Sequence, residues 1–219
     1  MTEQPDNDEA ARLEHGRLLF AQECRFFFGA VSFDGLPEAG LPEIAFAGRS
    51  NVGKSSLVNA LTGRRALARV SSTPGRTQQL NFFDLGGRLV LVDLPGYGYN
   101  QAGKDKAAQW GHAVRAFLKN RPTLRRVCLL VDARHGLNRH DRDTMQALDQ
   151  AAVNYQAVVT KADKMKPGPL AEAVATLSKE LKRHVAAHPE VIVTSAHDGT
   201  GIPALRAALA ALAEGSPFR

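Results

Sequence analysis

Gly48-Arg49-Ser50-Asn51-Val52-Gly53-Lys54-Ser55 decides how the rest of this chain is read. It has the spacing G-x-x-x-x-G-K-[ST], and it lies between the apolar run Ile44–Gly48 and an amphipathic pattern over Lys54–Leu61. A strand that turns into a helix through such a loop points successive backbone N–H groups inward. The helix N-terminus adds its dipole, and together they form a cradle for phosphate oxygens. Lys54 is expected to bridge the outer two phosphates of a nucleotide, and the Ser55 hydroxyl to ligate Mg²⁺. The nucleotide-binding stretch expected here is Gly48, Arg49, Ser50, Asn51, Val52, Gly53, Lys54, Ser55 and Ser56. A Gly-rich turn that only links strand to helix is the plainer alternative. The strand–loop–helix context weighs against it.

Outward from this loop, short aliphatic runs alternate with longer amphipathic stretches. The runs are Ile44–Gly48, Arg88–Asp93, Val127–Asp132, Tyr155–Thr160 and Val191–Ser195, nearly continuous, as strands buried on both faces require. The helical patterns are Lys54–Leu61, Lys104–Lys119, Arg139–Ala152, Leu170–His188 and Pro203–Leu212. Strand then helix, five times over, predicts an α/β fold: a mostly parallel sheet of six or seven strands with helices on both faces. Gly86-Gly87 between Asn81–Leu85 and Arg88–Asp93 reads as a hairpin turn, so one antiparallel strand is expected at the sheet edge. The aromatic run Arg25–Ser32 is a weaker strand candidate. Residues 1 to about 11 are polar and acidic and read as a disordered tail, although Leu13–Cys24 is helical in pattern. The expected organisation is an N-terminal tail over 1–24, one domain over 25–213 and a C-terminal tail over 214–219.

Four further signals follow in chain order. In Ser72-Thr73-Pro74-Gly75-Arg76-Thr77-Gln78, a polar loop running on to Gln79, Thr77 is the preferred second hydroxyl on Mg²⁺, and Thr73 is the alternative. Asp93-Leu94-Pro95-Gly96 ends a buried strand. Asp93 is placed to hold Mg²⁺ through its water shell, and the Gly96 N–H to reach the γ-phosphate. Thr160-Lys161-Ala162-Asp163 follows another strand at the carboxyl edge, where ligands of α/β sheets bind. The Asp163 carboxylate can accept from both the ring N–H and the exocyclic amine of guanine. Adenine has a ring acceptor there and no adjacent amine, so GTP and GDP are the nucleotides expected. Thr194-Ser195-Ala196 could bring backbone N–H groups to the guanine carbonyl. The residues expected to act on the transferred phosphate are Lys54, Thr77, Gly96 and Asn51.

Composition sets the outer limits. Hydrophobic residues make up 44% and charged residues 23% of 219 residues, which excludes a disordered or fibrous chain. No apolar run approaches the roughly 18 residues of a membrane span. The opening Met1–Glu9 holds four acids and no base, unlike a secretory signal, and points to the cytoplasm. Two cysteines are too few for a disulfide framework. The net charge of +6 suits a phosphate-rich partner such as RNA, or simply a solvated basic surface.

With all five signals in order, the chain resembles the EngB (YsxC, YihA) ribosome-biogenesis GTP-binding proteins, of the TrmE-Era-EngA-EngB-Septin-like class. The residues that carry the resemblance are Leu41–Leu57, Thr73–Gln78, Asp93-Leu94-Pro95-Gly96-Tyr97-Gly98-Tyr99 and Thr160-Lys161-Ala162-Asp163. It covers roughly Arg25 to Leu212. It implies a P-loop GTPase fold, Mg²⁺ dependence, and a partner in the large ribosomal subunit or its precursor, through rRNA and ribosomal proteins. A monomer and a part in cell division and septation come with it. Tyr97 stands where many GTPases place a water-orienting glutamine, so slow intrinsic hydrolysis is expected. A regulatory protein that senses nucleotide and barely hydrolyses it is the alternative. Asn51 resembles the asparagine that helps hold K⁺ against the phosphates in related GTPases; it reads equally as a loop residue tolerating an unusual backbone angle.

Several residues invite over-reading. His184 and His188 have i, i+4 spacing in the Leu170–His188 helical pattern, but lack a metalloprotease glutamate and read as a solvated face. Trp110, Phe117 and Leu118 read as helix-to-sheet packing. Arg64-Arg65, Arg121, Arg125-Arg126 and Lys179–Arg183 are basic clusters that could touch rRNA.

Overall fold

The computed structural model describes residues 4–32, 34–64, 67, 79–97, 111 and 114–213. The elements are helix α1 (Gln4–Phe20), β1 (Cys24–Ala30), β2 (Glu43–Gly48), α2 (Lys54–Thr62), β3 (Leu80–Leu85), β4 (Leu89–Asp93), α3 (residues 114–120), β5 (Leu124–Asp132), α4 (Arg139–Gln150), β6 (Tyr155–Thr160), α5 (Pro167–Leu181), β7 (Ile192–Val193) and α6 (Ile202–Ala210). Seven strands form one sheet in the order β1-β3-β4-β2-β5-β6-β7. All pairs from β4 to β7 are parallel, while β3 runs against both β4 and β1.

The central strands β2, β4 and β6 are buried along their whole length, so their side chains feed two cores, one on each face. Ile44 and Phe46 join Leu57, Leu61, Leu205, Leu209 and Phe20 on one face. Ala45 and Ala47 join Phe82, Phe117, Met145, Leu148 and Leu177 on the other. Phe117 of α3 meets Phe82 edge-on with ring centroids 6.1 Å apart, so it packs a helix onto the sheet as its neighbours in sequence suggested. Cys24 and Cys128 are free and buried, and burial pushes both thiols up to about 12.

The hairpin turn forms at Gly86 and Gly87, both in the left-handed region (φ 61° and 64°) that a tight two-residue turn demands. The reversed strand is not at the edge, however. The aromatic run becomes β1, which pairs outside β3 and takes the edge position. A bulge at Phe27 shifts the register between Phe26 and Phe28, a device that bends an edge strand away from further pairing.

The expected loose tail is instead the first helix. Its last residues Leu19 and Phe20 are buried, and α1 packs on α6 so closely that a Cβ at Gly16 would lie 2.5 Å from the Ala207 nitrogen. Helix α5 starts earlier than the periodicity suggested, with Pro167 in its first turn, and ends at Leu181. Its expected extension to His188 gives way to tertiary contacts. His184 Nδ1 lies 2.6 Å from Asp149, and the His188 N–H donates to the Tyr155 carbonyl at 2.7 Å. The two histidines are therefore no helical pair: His184 is drawn inward onto α4, while His188 stays partly exposed. No helix among the described residues is long and apolar enough to cross a membrane.

Candidate functional site

Strand β2 delivers Gly48 to the carboxyl edge of the sheet, and α2 leaves from it through the intervening loop. Asn51 (φ 63°) and Gly53 (φ 104°) both hold left-handed backbone, which lets the chain wrap before the helix begins. Val52 is buried beneath the loop, and its carbonyl accepts from Thr160 Oγ1 at 2.7 Å. Ser55 is partly exposed and Ser56 exposed at the start of α2. The Lys54 ammonium pairs directly with the Asp93 carboxylate, both groups largely buried.

The segment after Asp93 lies against the same loop. Leu94 N–H donates to the Phe46 carbonyl, Tyr97 N–H to the Gly48 carbonyl at 3.2 Å, and Ser50 N–H to the Tyr97 carbonyl at 3.3 Å. At Gly96 a Cβ would sit 3.0 Å from the Ser50 nitrogen, so a side chain there would press the two backbones apart by a few tenths of an ångström. Tyr97 turns its hydroxyl away to Asp141 of α4, 2.8 Å distant. Burial, then the Asp141 charge, hold that hydroxyl above its usual range, so it stays a donor.

At the end of β6, two strands along from β2, Thr160 and Lys161 hand the chain to a short turn carrying Ala162 and Asp163. Lys161 Nζ donates to the Asn51 carbonyl at 2.6 Å and pairs with Asp132 at 2.9 Å, fastening this turn to the phosphate loop. Asp163 accepts from Ser195 Oγ at 2.8 Å and pairs with Lys164 at 3.1 Å. The Ser195 hydroxyl first, then Lys164, hold its carboxyl below the usual range. Thr194 and Ser195 are fully buried, and their N–H groups donate to Val159 and Thr200 carbonyls. Of the Thr194-Ser195-Ala196 trio only the Ala196 N–H has no acceptor among the described residues. A phosphate cradle and a fixed carboxylate thus share one edge of the sheet.

A family model described as 50S ribosome-binding GTPase matches residues 43–161. A probable GTP-binding protein EngB of Rhodospirillum rubrum is 59% identical over 214 residues, covering 95% of this chain and 93% of the relative. One of the same description from Gluconobacter oxydans is 54% identical, covering 97% and 94%. The chain belongs to the EngB family of GTP-binding proteins. Among solved structures, that of a probable GTP-binding protein EngB superposes with a TM-score of 0.63 at 24% identity, covering 78% of this chain and 98% of that one. Aquifex aeolicus Era bound to GDP and aluminium fluoride gives the same TM-score at 19% identity, covering 81% and 58%. Both show the P-loop fold of this EngB-family sheet.

Some expected site residues fall elsewhere. Gly75, Arg76, Thr77 and Gln78 lie outside the described residues, as do Thr73, Gly98, Tyr99 and Trp110. Gln79 directs its amide to Asn81 at 2.9 Å, beside Gly29 of β1. The Arg49 guanidinium points to Asp141 and the Gly136 carbonyl, so Arg49 offers the phosphate loop only its backbone. Arg121 is no surface base: its Nε lies 2.8 Å from Glu43 and the pair is buried. Arg126 is tied down by Asn154 and Gln156.

Two acids of the site escaped the sequence reading. Burial pushes Asp132 up, but hydrogen bonds from Arg134 and Lys161 outweigh it and hold the carboxyl well below the usual range. Its signal was an Asp ending an apolar strand, the same signal that marked Asp93. Asp141 gave none, because a helix-capping acid looks alike whether or not it serves a site.

The oxygen donors at this edge suit Mg²⁺, which takes one or two protein ligands and completes its shell with water and phosphate oxygens. Ser55 and Asp93 are the hard donors here, Asp93 being held by Lys54, the residue before Ser55.

Proposed function

We propose that this EngB-family chain is a Mg²⁺-dependent GTPase that acts as a switch in assembly of the large ribosomal subunit, with the role in cell division and septation that the sequence resemblance implies. One observation carries the guanine assignment. The Lys161 ammonium holds the Asn51 carbonyl of the phosphate loop, and two residues on, Asp163 is an ionised acceptor fixed by Ser195. Base and phosphates of one nucleotide would lie along this single edge, the phosphates in the loop and the base at Asp163. The names of the relatives, GTP-binding proteins, agree with it, and the family description, 50S ribosome-binding, supports the ribosomal partner.

Lys54 would leave Asp93 for the β- and γ-phosphates, while Ser55, Asp93 and Thr77 would hold Mg²⁺. When bound, the ion neutralises charge developing on the phosphate oxygens. Gly96 would donate its N–H to the γ-phosphate, and Asp163, Lys161 and Ala196 would orient the base. Hydrolysis is slow without a partner: the residue after Gly96 is a tyrosine whose hydroxyl is committed to Asp141, so it does not orient water as a glutamine would. K⁺ beside Asn51 would supply the missing charge, although the left-handed backbone at Asn51 is itself a reason for asparagine. The same tyrosine favours, as the second reading, a nucleotide sensor that barely hydrolyses.

Single-turnover hydrolysis in K⁺ and in Na⁺, with and without purified large subunits, separates these readings. Acceleration by subunits supports the switch. An unchanged, negligible rate supports the sensor, and equal rates in the two salts remove the K⁺.

A further inference from the structure

Asp141 belongs to α4, outside every motif of the site, yet it is fully buried and meets three separate elements. Within its own helix it completes a capping box: Asn138 N–H donates to Oδ2 at 2.9 Å, and the Asp141 N–H donates to Asn138 Oδ1 at 3.1 Å. Its Oδ1 accepts the Tyr97 hydroxyl at 2.8 Å. Arg49 Nε stands 3.5 Å from Oδ2, an attraction of charge without the alignment of a hydrogen bond, and Arg49 also reaches the Gly136 carbonyl just before α4.

A capping box needs only the helix's own atoms. Two more partners, one from the phosphate loop and one from the segment after Asp93, exceed what capping requires. A buried carboxylate that gathers such partners specifies one arrangement of them, because each partner lost leaves charge uncompensated. The arrangement specified here brings Tyr97 onto the loop by its backbone as well, with the Ser50 N–H spent on the Tyr97 carbonyl and Gly96 pressed against Ser50.

We propose that Asp141 is a positioning residue that latches Tyr97 and Arg49 together. It thereby holds Leu94–Tyr97 against the phosphate loop in a position that withholds the Ser50 N–H from a bound triphosphate. The proposal rests on the guanine-nucleotide reading above and adds a control to it. The latch acts where Gly96 meets Ser50, the place assigned to the γ-phosphate, so it discriminates triphosphate from diphosphate. A ligand shifts such an equilibrium only by its differential affinity for the two positions.

The test is calorimetric titration of the full chain with GDP and with a non-hydrolysable GTP analogue, in Mg²⁺ buffer. Tyr97→Phe removes one hydroxyl and keeps the ring, the capping box and the Arg49 pair. It should raise the affinity for the analogue relative to GDP by about three- to tenfold, the range over which one hydrogen bond moves an equilibrium. Asp141→Asn, which also loses the charge facing Arg49, should move the ratio in the same direction, and adding Tyr97→Phe to it should change the ratio by less than Tyr97→Phe does alone, since the Tyr97 contact is shared. A lowered melting temperature with an unmoved ratio in Tyr97→Phe overturns the latch and leaves Asp141 a helix cap. Additive shifts in the double variant overturn the Tyr97–Asp141 contact as its cause. If the unmodified chain bound neither nucleotide, the guanine-nucleotide reading would fall and the latch with it.

Discussion

In the proposed function Asp163 would select the base by what it can accept, and its neighbours keep it accepting. Ser195 and Lys164 hold the carboxyl ionised, so both oxygens remain acceptors at neutral pH. Asp163→Asn replaces one acceptor with a donor, which opposes the guanine amine and suits the xanthine carbonyl. One lost charged hydrogen bond and one mismatched donor amount to about 3 kcal/mol, roughly a hundredfold in GTP affinity. Competition binding of GTP and XTP should show the preference reversed; GTP affinity left intact would sink the assignment. Asp132 makes a second claim at this scale. Its pKa is depressed in the folded chain, so its contribution is present above the ordinary carboxylate value of about 3.9 and is lost as pH falls through the lower folded value. Acid unfolding of the chain and of Asp132→Asn should show this. The variant should be less stable at neutral pH by about 1–3 kcal/mol, and the gap should narrow below about pH 4. A constant gap would mean that the carboxylate's charge is not what matters. The phosphate loop was legible because its chemistry depends on spacing along the chain. The Asp132–Lys161 and Tyr97–Asp141 contacts were not, because each joins residues on different strands or helices, and no local pattern records which partner a side chain finds.

Elements with their own periodicity were legible in the same way. Strands β2, β4 and β6 read as continuous apolar runs because both faces are covered, whereas β1 read weakly, since as an edge strand it exposes Phe26, Phe27 and Phe28. Strand β5 begins before its apolar run, because Leu124 and Arg126 pair with β2 while Arg125 is passed over where the register shifts. The first half of helix α1 is polar, so only the pattern from Leu13 onward told it from a tail; it is fixed by a tertiary contact. Gly16 is where α1 touches α6, with the Ala207 nitrogen 2.5 Å from a would-be Cβ. Gly16→Ala should therefore push the helices apart at about 1–3 kcal/mol, the usual cost of overpacking. Calorimetry should register a drop of several degrees in Tm, with guanine-nucleotide affinity unchanged because the site lies at the other end of α2. An unaltered Tm would show that α1 is not docked on the fold.

Across the whole molecule, three exposed bases of the basic clusters stand at the edge opposite the proposed nucleotide site. The nucleotide site lies where strands end and helices begin. The exposed bases Arg64, Arg125 and Lys182 lie where α2 ends, β5 begins and α5 ends, at the far edge of the sheet. The residues removed from the basic clusters by their internal partners, Arg121 and Arg126, sharpen that far-edge set rather than dissolve it. For the proposed ribosomal partner this separation makes two effects independent. Neutralising rRNA phosphates releases condensed counterions, so affinity for large subunits should fall linearly on a log–log plot against salt. Each base removed from contact should lower the slope by about 1. Nucleotide dependence must come from the opposite edge, where Leu94–Tyr97 meets the phosphate loop. Arg64→Glu, Arg125→Glu and Lys182→Glu together should weaken subunit binding and flatten its salt dependence, while GDP affinity and the GTP-to-GDP difference in subunit binding persist. The measurement is co-sedimentation with large subunits over a salt series in both nucleotide states. A slope unchanged in the triple variant would move the rRNA contact away from this edge. Identical curves for GTP and GDP would leave binding in place and remove the switch.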